Sequence, residues 1–472
     1  MISGNPFDGL VQCGVNGAPA GCLQGHLFNP APRVGFAYSP DDGKTSIRGG
    51  YGIFFEHTNG NEGNTESLEG SAPYVQDITE YNLPSYTSIT SSASSGPLNV
   101  TSIPAKAIWP YVQQWNFSIQ RDMPLHTLLT VAYAGSKGTH LTDQRDINQL
   151  YPTPASLNPY AKGQVISAND CNTLTVNGNA VTGGVLENLN VACGSSPNPY
   201  RPYEGFGTIT ALEDQANSSY NSLQVSARRT LGRLTLSLAY TWSHSLDDSS
   251  DRGDGNFVDS YNLALTRASS NFDQRQLLNT SYVYDLPFFA KSGLLHTAFG
   301  GWQISGLISF QTGTPFSVVN AVYGDTAGVG NAVGTGSYVD LVGNPHSTPV
   351  VSQVAGIQGP LLFNPAAFAE PTGLTFGDSG RNILNNPART NWDMGLFKRF
   401  PIGKEARSIE FRAEGFNVLN HTQWSGVNNT ASCYAGANNS AGDPSCIASE
   451  VFLHPSGAHN PRILQLGMKF IF

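Results

Sequence analysis

The sequence ends in RILQLGMKFIF (462–472), and the spacing of this stretch decides the fold. From Leu464 every second residue is apolar: Leu464, Leu466, Met468, Phe470, Phe472. The residues between them, Ile463, Gln465, Gly467, Lys469 and Ile471, are mixed. Successive side chains of a β-strand point to opposite faces, so this period of two describes a strand whose two sides meet different solvents.

The same alternation recurs upstream. Leu234, Leu236, Leu238, Tyr240 and Trp242 alternate with Thr235, Ser237, Ala239 and Thr241. Leu223, Val225 and Ala227 alternate with Ser222, Gln224, Ser226 and Arg228; Trp115, Phe117 and Ile119 with Gln114, Asn116, Ser118 and Gln120. Trp302, Ile304, Ile308 and Phe310 alternate with Gln303, Ser305, Ser309 and Gln311; Ile409, Phe411 and Ala413 with Glu410, Arg412 and Glu414. With 34–38, 45–55, 129–135, 277–286 and 392–399, eleven strands are expected.

A soluble β-sandwich alternates too, so the connections must discriminate. They run strictly short (39–44, 122–126, 230–233, 287–301, 400–407) and long (56–111, 136–217, 243–276, 313–391, 420–461). Short turns at one end and long loops at the other are the signature of a transmembrane β-barrel with its loops outside the cell. Structureless loops of this length are uncommon inside a compact soluble domain. The expected fold is therefore all-β: an antiparallel transmembrane barrel wall with long extracellular loops and a periplasmic C-terminus.

Composition agrees. Only 12% of residues are charged, and 51 Gly, 29 Pro and 19 Tyr fit short strands joined by polar loops. The formal charge of −9, with no Lys/Arg cluster, argues against a nucleic-acid partner. No apolar run is long enough for a transmembrane helix. Met1 is followed by ISGNPFDGLVQCG, with neither a basic nor an apolar leader, so the expectation is a longer reading frame upstream.

The six cysteines form three local pairs, Cys13 with Cys22, Cys171 with Cys193 and Cys433 with Cys446. None shows C-x-x-C spacing, and local disulfides on the long-loop side are expected in preference to zinc ligation or free thiols. Tyr51, Trp115, Tyr133, Trp242, Tyr282, Tyr284, Trp302 and Trp392 fall near strand ends or on the apolar face, as interfacial girdles require, although aromatics favour strands in any case.

Catalytic and metal motifs are weak. Gly377-Asp378-Ser379-Gly380 is similar to a serine-protease nucleophile segment but lacks His and Asp partners in suitable context. Asp247, Asp248, Asp251 and Asp254 are a weak Ca²⁺ candidate whose spacing misses the EF-hand pattern, and a solvated acidic loop is the plainer account. The ten histidines are scattered. No cofactor and no catalysis are expected. Arg48, Gln114, Gln120, Gln224, Arg228, Gln303, Glu410, Arg412 and Glu414 are expected to face a polar lumen, where they would contact a plug or line a route, or simply be solvated.

Several segments together resemble the barrel of Oar-like TonB-dependent receptors. They are APRVGFAYSP with TSIRGGYGIFFE (31–56), YVQQWNFSIQRDMP with VAYAGSKGTHL (111–141), YNSLQVSARRTLGRLTLSLAYTWSHSLDD (220–248) and FDQRQLLNTSYVYDLPF (272–288). GGWQISGLISFQTGTPFSV (300–318), GDSGRNIL with NWDMGLFKRFPI (377–402), IEFRAEGFNVLNHTQW (409–424) and NPRILQLGMKFIF (460–472) complete the series. The resemblance implies that residues 1–472 are the C-terminal part of one barrel domain of about 22 strands, lacking a plug and a signal peptide. It implies an outer-membrane location and a closing strand whose aromatic end, Phe470 and Phe472, is recognised by the barrel-assembly machinery. It further implies contact with a TonB complex through a plug and uptake of an unidentified extracellular ligand. A non-transporting adhesin or structural barrel, and a secreted β-sandwich binding module, are the competing classes. The sandwich predicts a soluble monomer without detergent.

Overall fold

A computed structural model describes residues 28–56, 75–79, 97–103, 108–252, 258–289, 299–320, 325–330, 338–349, 359–402, 407–431 and 452–472, with a few isolated positions between them. Eleven strands form one meander, each hydrogen-bonded to the next in chain order. They are β1 (Arg33–Tyr38), β2 (Thr45–Phe55), β3 (Tyr111–Met123), β4 (Thr127–Asp146), β5 (Phe206–Arg229) and β6 (Leu234–Asp247). Then come β7 (Gln276–Asp285), β8 (Trp302–Gln311), β9 (Arg389–Pro401), β10 (Ser408–Phe416) and β11 (Ile463–Ile471). Every neighbouring pair in this series is antiparallel.

All eleven expected strands are present, and two of them are far longer than the alternation indicates. β4 has 20 residues and β5 has 24, so 136–146 and 206–217, expected as loop, continue the ladder past a bulge between Gly138 and Leu141. The cause is burial on both sides. Ala211 and Leu212 are adjacent, point to opposite faces, and are each 3% exposed, so no period-two contrast exists there to be read. The segment 147–205 is likewise not structureless: it carries helices α1 (Ala168–Thr173) and α2 (Gly183–Ala192). A short strand, Leu98–Ser102, lies parallel to the start of β5, the one departure from antiparallel pairing among the described strands. No described helix is long and apolar enough to cross a membrane.

The sheet does not close. Among the described residues β1 pairs only with β2, and β11 only with β10. Both edge strands run from the long-connection end to the short-turn end. Pairing them to each other would be parallel, so antiparallel closure takes an odd number of strands beyond these eleven.

Among the described residues, every buried hydrophobic residue lies in the long connections or in the upper part of β5, and none in the lower wall. One cluster joins Val318, Val339, Phe368 and Leu384 to Phe452 and Leu453, and others centre on Leu189 with Leu374 and on Leu150 with Val329. The long connections thus form a cap with its own core. The wall beneath it has no core.

Candidate functional site

Directly opposed residues of an antiparallel ladder project to the same face, so the register assigns each side chain without reference to its chemistry. The chain of partners runs Arg48, Ser118, Ala132, Gln224, Thr241, Leu277, Gln311, Arg389. It continues through Gly395 on β9 to Glu414 and Gln465. By the strand period, Gln114, Gln120, Arg228, Gln303, Glu410 and Arg412 share that face. All nine residues proposed from the sequence as lumen-facing therefore fall on one continuous surface.

The opposite face carries Ile47, Trp115, Phe117, Val131, Leu223, Leu238, Ile308, Leu396, Phe411 and Leu466, together with all eight aromatic residues singled out above. Its apolar residues remain open to the surroundings, with Phe117 at 43%, Trp242 at 57% and Met468 at 75% exposure. Phe470 and Phe472 lie here, their rings 6.0 Å apart and stacked. Two aromatics lie across glycines of the neighbouring strand. A Cβ on Gly135 would meet Trp115 Nε1 at 2.5 Å, and one on Gly306 would meet Tyr282 Oη at 2.5 Å. Tyr133 accepts from Trp115 Nε1 (3.3 Å) and donates to Asn221 Oδ1 (2.6 Å), which satisfies its polar tip on an apolar surface. Lys398 also sits on this face near the short turns, its Nζ 4.8 Å from the Phe400 ring centroid and 5.2 Å from that of Trp302.

On the polar face, Glu410 holds Arg399 (3.0 Å) and Arg412 (2.6 Å), with Lys469 opposite it in the ladder. Farther up, a depression of about 330 Å³ is floored by Ser237, Ser281, Ser305 and Gly395 and flanked by Phe397 and Phe416. The surface is thus charged and polar, with a small apolar-rimmed hollow.

Two buried arginines pin the cap to the tops of the strands. Asp146, the last residue of β4, receives Arg201 Nη1 at 3.3 Å, and both side chains are fully buried. The same guanidinium donates to Asn148 O (2.6 Å) and Gly330 O (3.2 Å), joining two long connections. Asp247, the last residue of β6, receives Arg381 Nη2 at 2.7 Å. Arg381 also donates to Thr266 O (3.0 Å) and Ser250 Oγ (2.6 Å). Neither arginine was selected from the sequence, because NPYRPY and GDSGRN carry no periodic signal. A strand-terminal Asp is the trace each leaves.

Two of the four carboxylates of the Ca²⁺ candidate have partners of their own. Asp247 is held by Arg381, while Asp248 accepts from Arg267 Nη1 (3.0 Å) and from Asn217 N (2.8 Å). Asp251 lies in the exposed turn that follows, and Asp254 lies outside the described residues. No group of three metal-ligating side chains exists among the described residues. In the Gly377–Gly380 segment, Asp378 accepts from Leu341 N (2.7 Å), and Ser379 Oγ is buried with no hydrogen-bond partner among the described residues. The segment works as the approach to Arg381.

Cys171 and Cys193 form a disulfide that ties α1 to the end of α2, with Cα atoms 5.5 Å apart. Cys13, Cys22, Cys433 and Cys446 lie outside the described residues.

A family profile described as an outer membrane beta barrel domain matches residues 5–465. No curated protein matches the chain. Among solved structures, the outer membrane transporter YddB from Escherichia coli superposes with a TM-score of 0.41 at 8% identity, over 90% of this chain and 38% of that one. The siderophore receptor PirA from Acinetobacter baumannii gives 0.38 at 8% identity, over 93% and 40%. The ferric citrate transporter FecA gives 0.37 at 9%, over 94% and 38%. The chain thus spans two-fifths or less of the length of each.

Proposed function

The chain belongs to the outer membrane β-barrel domain family, and from that premise we propose that it is part of the wall and cap of a TonB-dependent uptake receptor. The observation that carries this reading is the continuous ladder of eleven strands, which gathers the charged and polar side chains on one face and leaves the other predominantly apolar. A wall of this kind stands between lipid and a wet lumen. The ordered likeness of its segments to Oar-like receptors supplies the transport class. The odd number of further strands required for antiparallel closure is compatible with completion by another part of the same polypeptide.

In this reading the C-terminus faces the periplasm and the cap faces outward. The aromatic end, Phe470 and Phe472, is the segment presented to the assembly machinery. The cap meets the ligand first. The ligand then passes along the polar face once a plug, driven by a TonB complex, has moved. No bond is made or broken in the ligand by this chain.

The test is solute depletion by cells with and without the intact gene, followed by mass spectrometry of the medium, with and without a protonophore. Uptake through a TonB-type receptor predicts at least one solute whose removal requires both the gene and the proton gradient. Identical depletion by the two strains would leave an adhesive or structural barrel as the better account.

A further inference from the structure

In the upper part of the β4–β5 ladder, Asp143 is fully buried, and neither of its carboxyl oxygens has a hydrogen-bond partner among the described residues. It stands directly opposite Glu213. An ionised carboxylate in this position would be desolvated, unsatisfied and beside a like charge, which is a costly combination. The nearby amide of Gln215 donates to Glu213 Oε2 at 2.7 Å, and its pull on the Asp143 carboxyl is outweighed by burial and by the charge of Glu213.

Arg145, two residues along β4 on the same side, is the nearest cation. It is already divided, with Nε and Nη2 on Glu213 and Nη1 on Ser260 O at 2.7 Å. That last bond seats the segment 258–266 on the ladder. Gln149 completes the seat, accepting from Ser260 N (2.7 Å) and donating to Val258 O (2.8 Å). Asp248 also faces the site from beyond β6, neutralised in part by Arg267. On the seated segment the titratable groups are Asp259, which accepts from Tyr261 N, and Tyr261, whose hydroxyl donates to Gln149 O. Asp214 faces away, bonded to Thr142.

We propose that Asp143 is a proton-operated latch: as the neutral acid it lets residues 258–266 seat on the β4–β5 extension, and its ionisation unseats them. Loss of the proton to water creates a carboxylate that competes with Ser260 O for the guanidinium of Arg145 and repels Glu213 and Asp248. The electrostatics place the change in an accessible range, because burial first, and then the charge of Glu213, raise the Asp143 carboxyl to about 7. The cap therefore closes in acid and loosens as pH rises through neutrality.

Hydrogen exchange of the whole protein in detergent, corrected for intrinsic rates, tests this at the amides of Ser260, Leu265 and Arg267. The wild type is expected to lose protection at least about ten-fold between roughly pH 5 and pH 8.5. Asp143→Asn should keep the acidic level of protection throughout. Glu213→Gln, which removes the like charge and frees Arg145 for Asp143, should move the midpoint to lower pH, and this arm stands even if Asp143→Asn does not fold. Flat protection in the wild type, or an unmoved midpoint in Glu213→Gln, overturns the latch. Restoration of protection at high pH by CaCl₂ in the wild type but not in Asp143→Asn also overturns it, in favour of a cation site.

Discussion

The wall and the cap of this molecule place the same kinds of residue in opposite positions. In the wall, Leu466 and Met468 are about three-quarters exposed on the chain itself, whereas Leu189, Leu384 and Leu453 in the cap are fully buried. The cap is organised as a water-soluble protein is, by removing apolar surface from water. The wall removes far less. It is held by its ladder of backbone hydrogen bonds, which lipid makes obligatory, and its apolar face is satisfied by the bilayer. Charge follows the same division. Wall ion pairs such as Arg399–Glu410 lie on the polar face, while the cap buries Arg201–Asp146 and Arg381–Asp247 at the strand tops.

If the two regions are separately stabilised, the largest effect should come from breaking a buried pair at their junction. Arg381→Ala leaves Asp247 buried without its guanidinium and removes bonds to Thr266 and Ser250, at a cost of about 3–5 kcal/mol. The expected result is rapid proteolysis in the cap segments 248–275 and 312–388, while the wall keeps its strand circular dichroism and its heat-modifiable migration in detergent gels. Simultaneous loss of both signals would show the regions to be one cooperative unit.

A smaller effect tests the two faces of the wall. Leu238 and Ser237 are neighbours on β6, the first on the apolar face and the second on the polar face. Leu238→Arg should destabilise folding into lipid vesicles by about 2–4 kcal/mol, whereas Ser237→Arg should be close to neutral. Equal losses from the two substitutions would refute the assignment of faces.

How much of this was legible in the sequence depended on whether a strand meets two different solvents. β2 and β8 were bounded at the residues where they begin and end, because lipid on one side and water on the other impose alternation along their whole length. The contrast disappears above the wall. In FGTITALEDQAN (206–217) the cap covers both faces, and the strand reads as an irregular segment. α2 was missed for a related reason. GGVLENLNVA opens on two glycines, and Val185 and Leu189 mark only one buried stripe. The polar face was legible residue by residue, since period two assigns a side chain to a side. The cap arginines were not, because carboxylate partners 55 residues away for Arg201 and 134 for Arg381 leave no local mark.

The smallest effect compares one hydroxyl in each region. Tyr133 on the outer face of the wall donates to Asn221 at 2.6 Å and is 42% exposed. Tyr160 in the cap is 6% exposed and donates to Asp170 Oδ2 at 3.2 Å, where burial and the charge of Asp170 together hold the phenol protonated. A typical hydrogen bond contributes about 1 kcal/mol net, and more when its removal strands a buried charged partner. Near the interface, water or a headgroup can replace the Tyr133 hydroxyl for Asn221 and Trp115. In the cap no such replacement is at hand, although Asp170 keeps the bond from Ser167 N at 2.9 Å. Tyr160→Phe should therefore destabilise the cap by about 1–2 kcal/mol in urea-dependent proteolysis, and Tyr133→Phe should change wall stability by less than about 1 kcal/mol. The reverse order would mean that the boundary aromatics carry more of the wall's stability than a lipid-facing ladder requires, and the separation between the two regions would have to be redrawn at Tyr133.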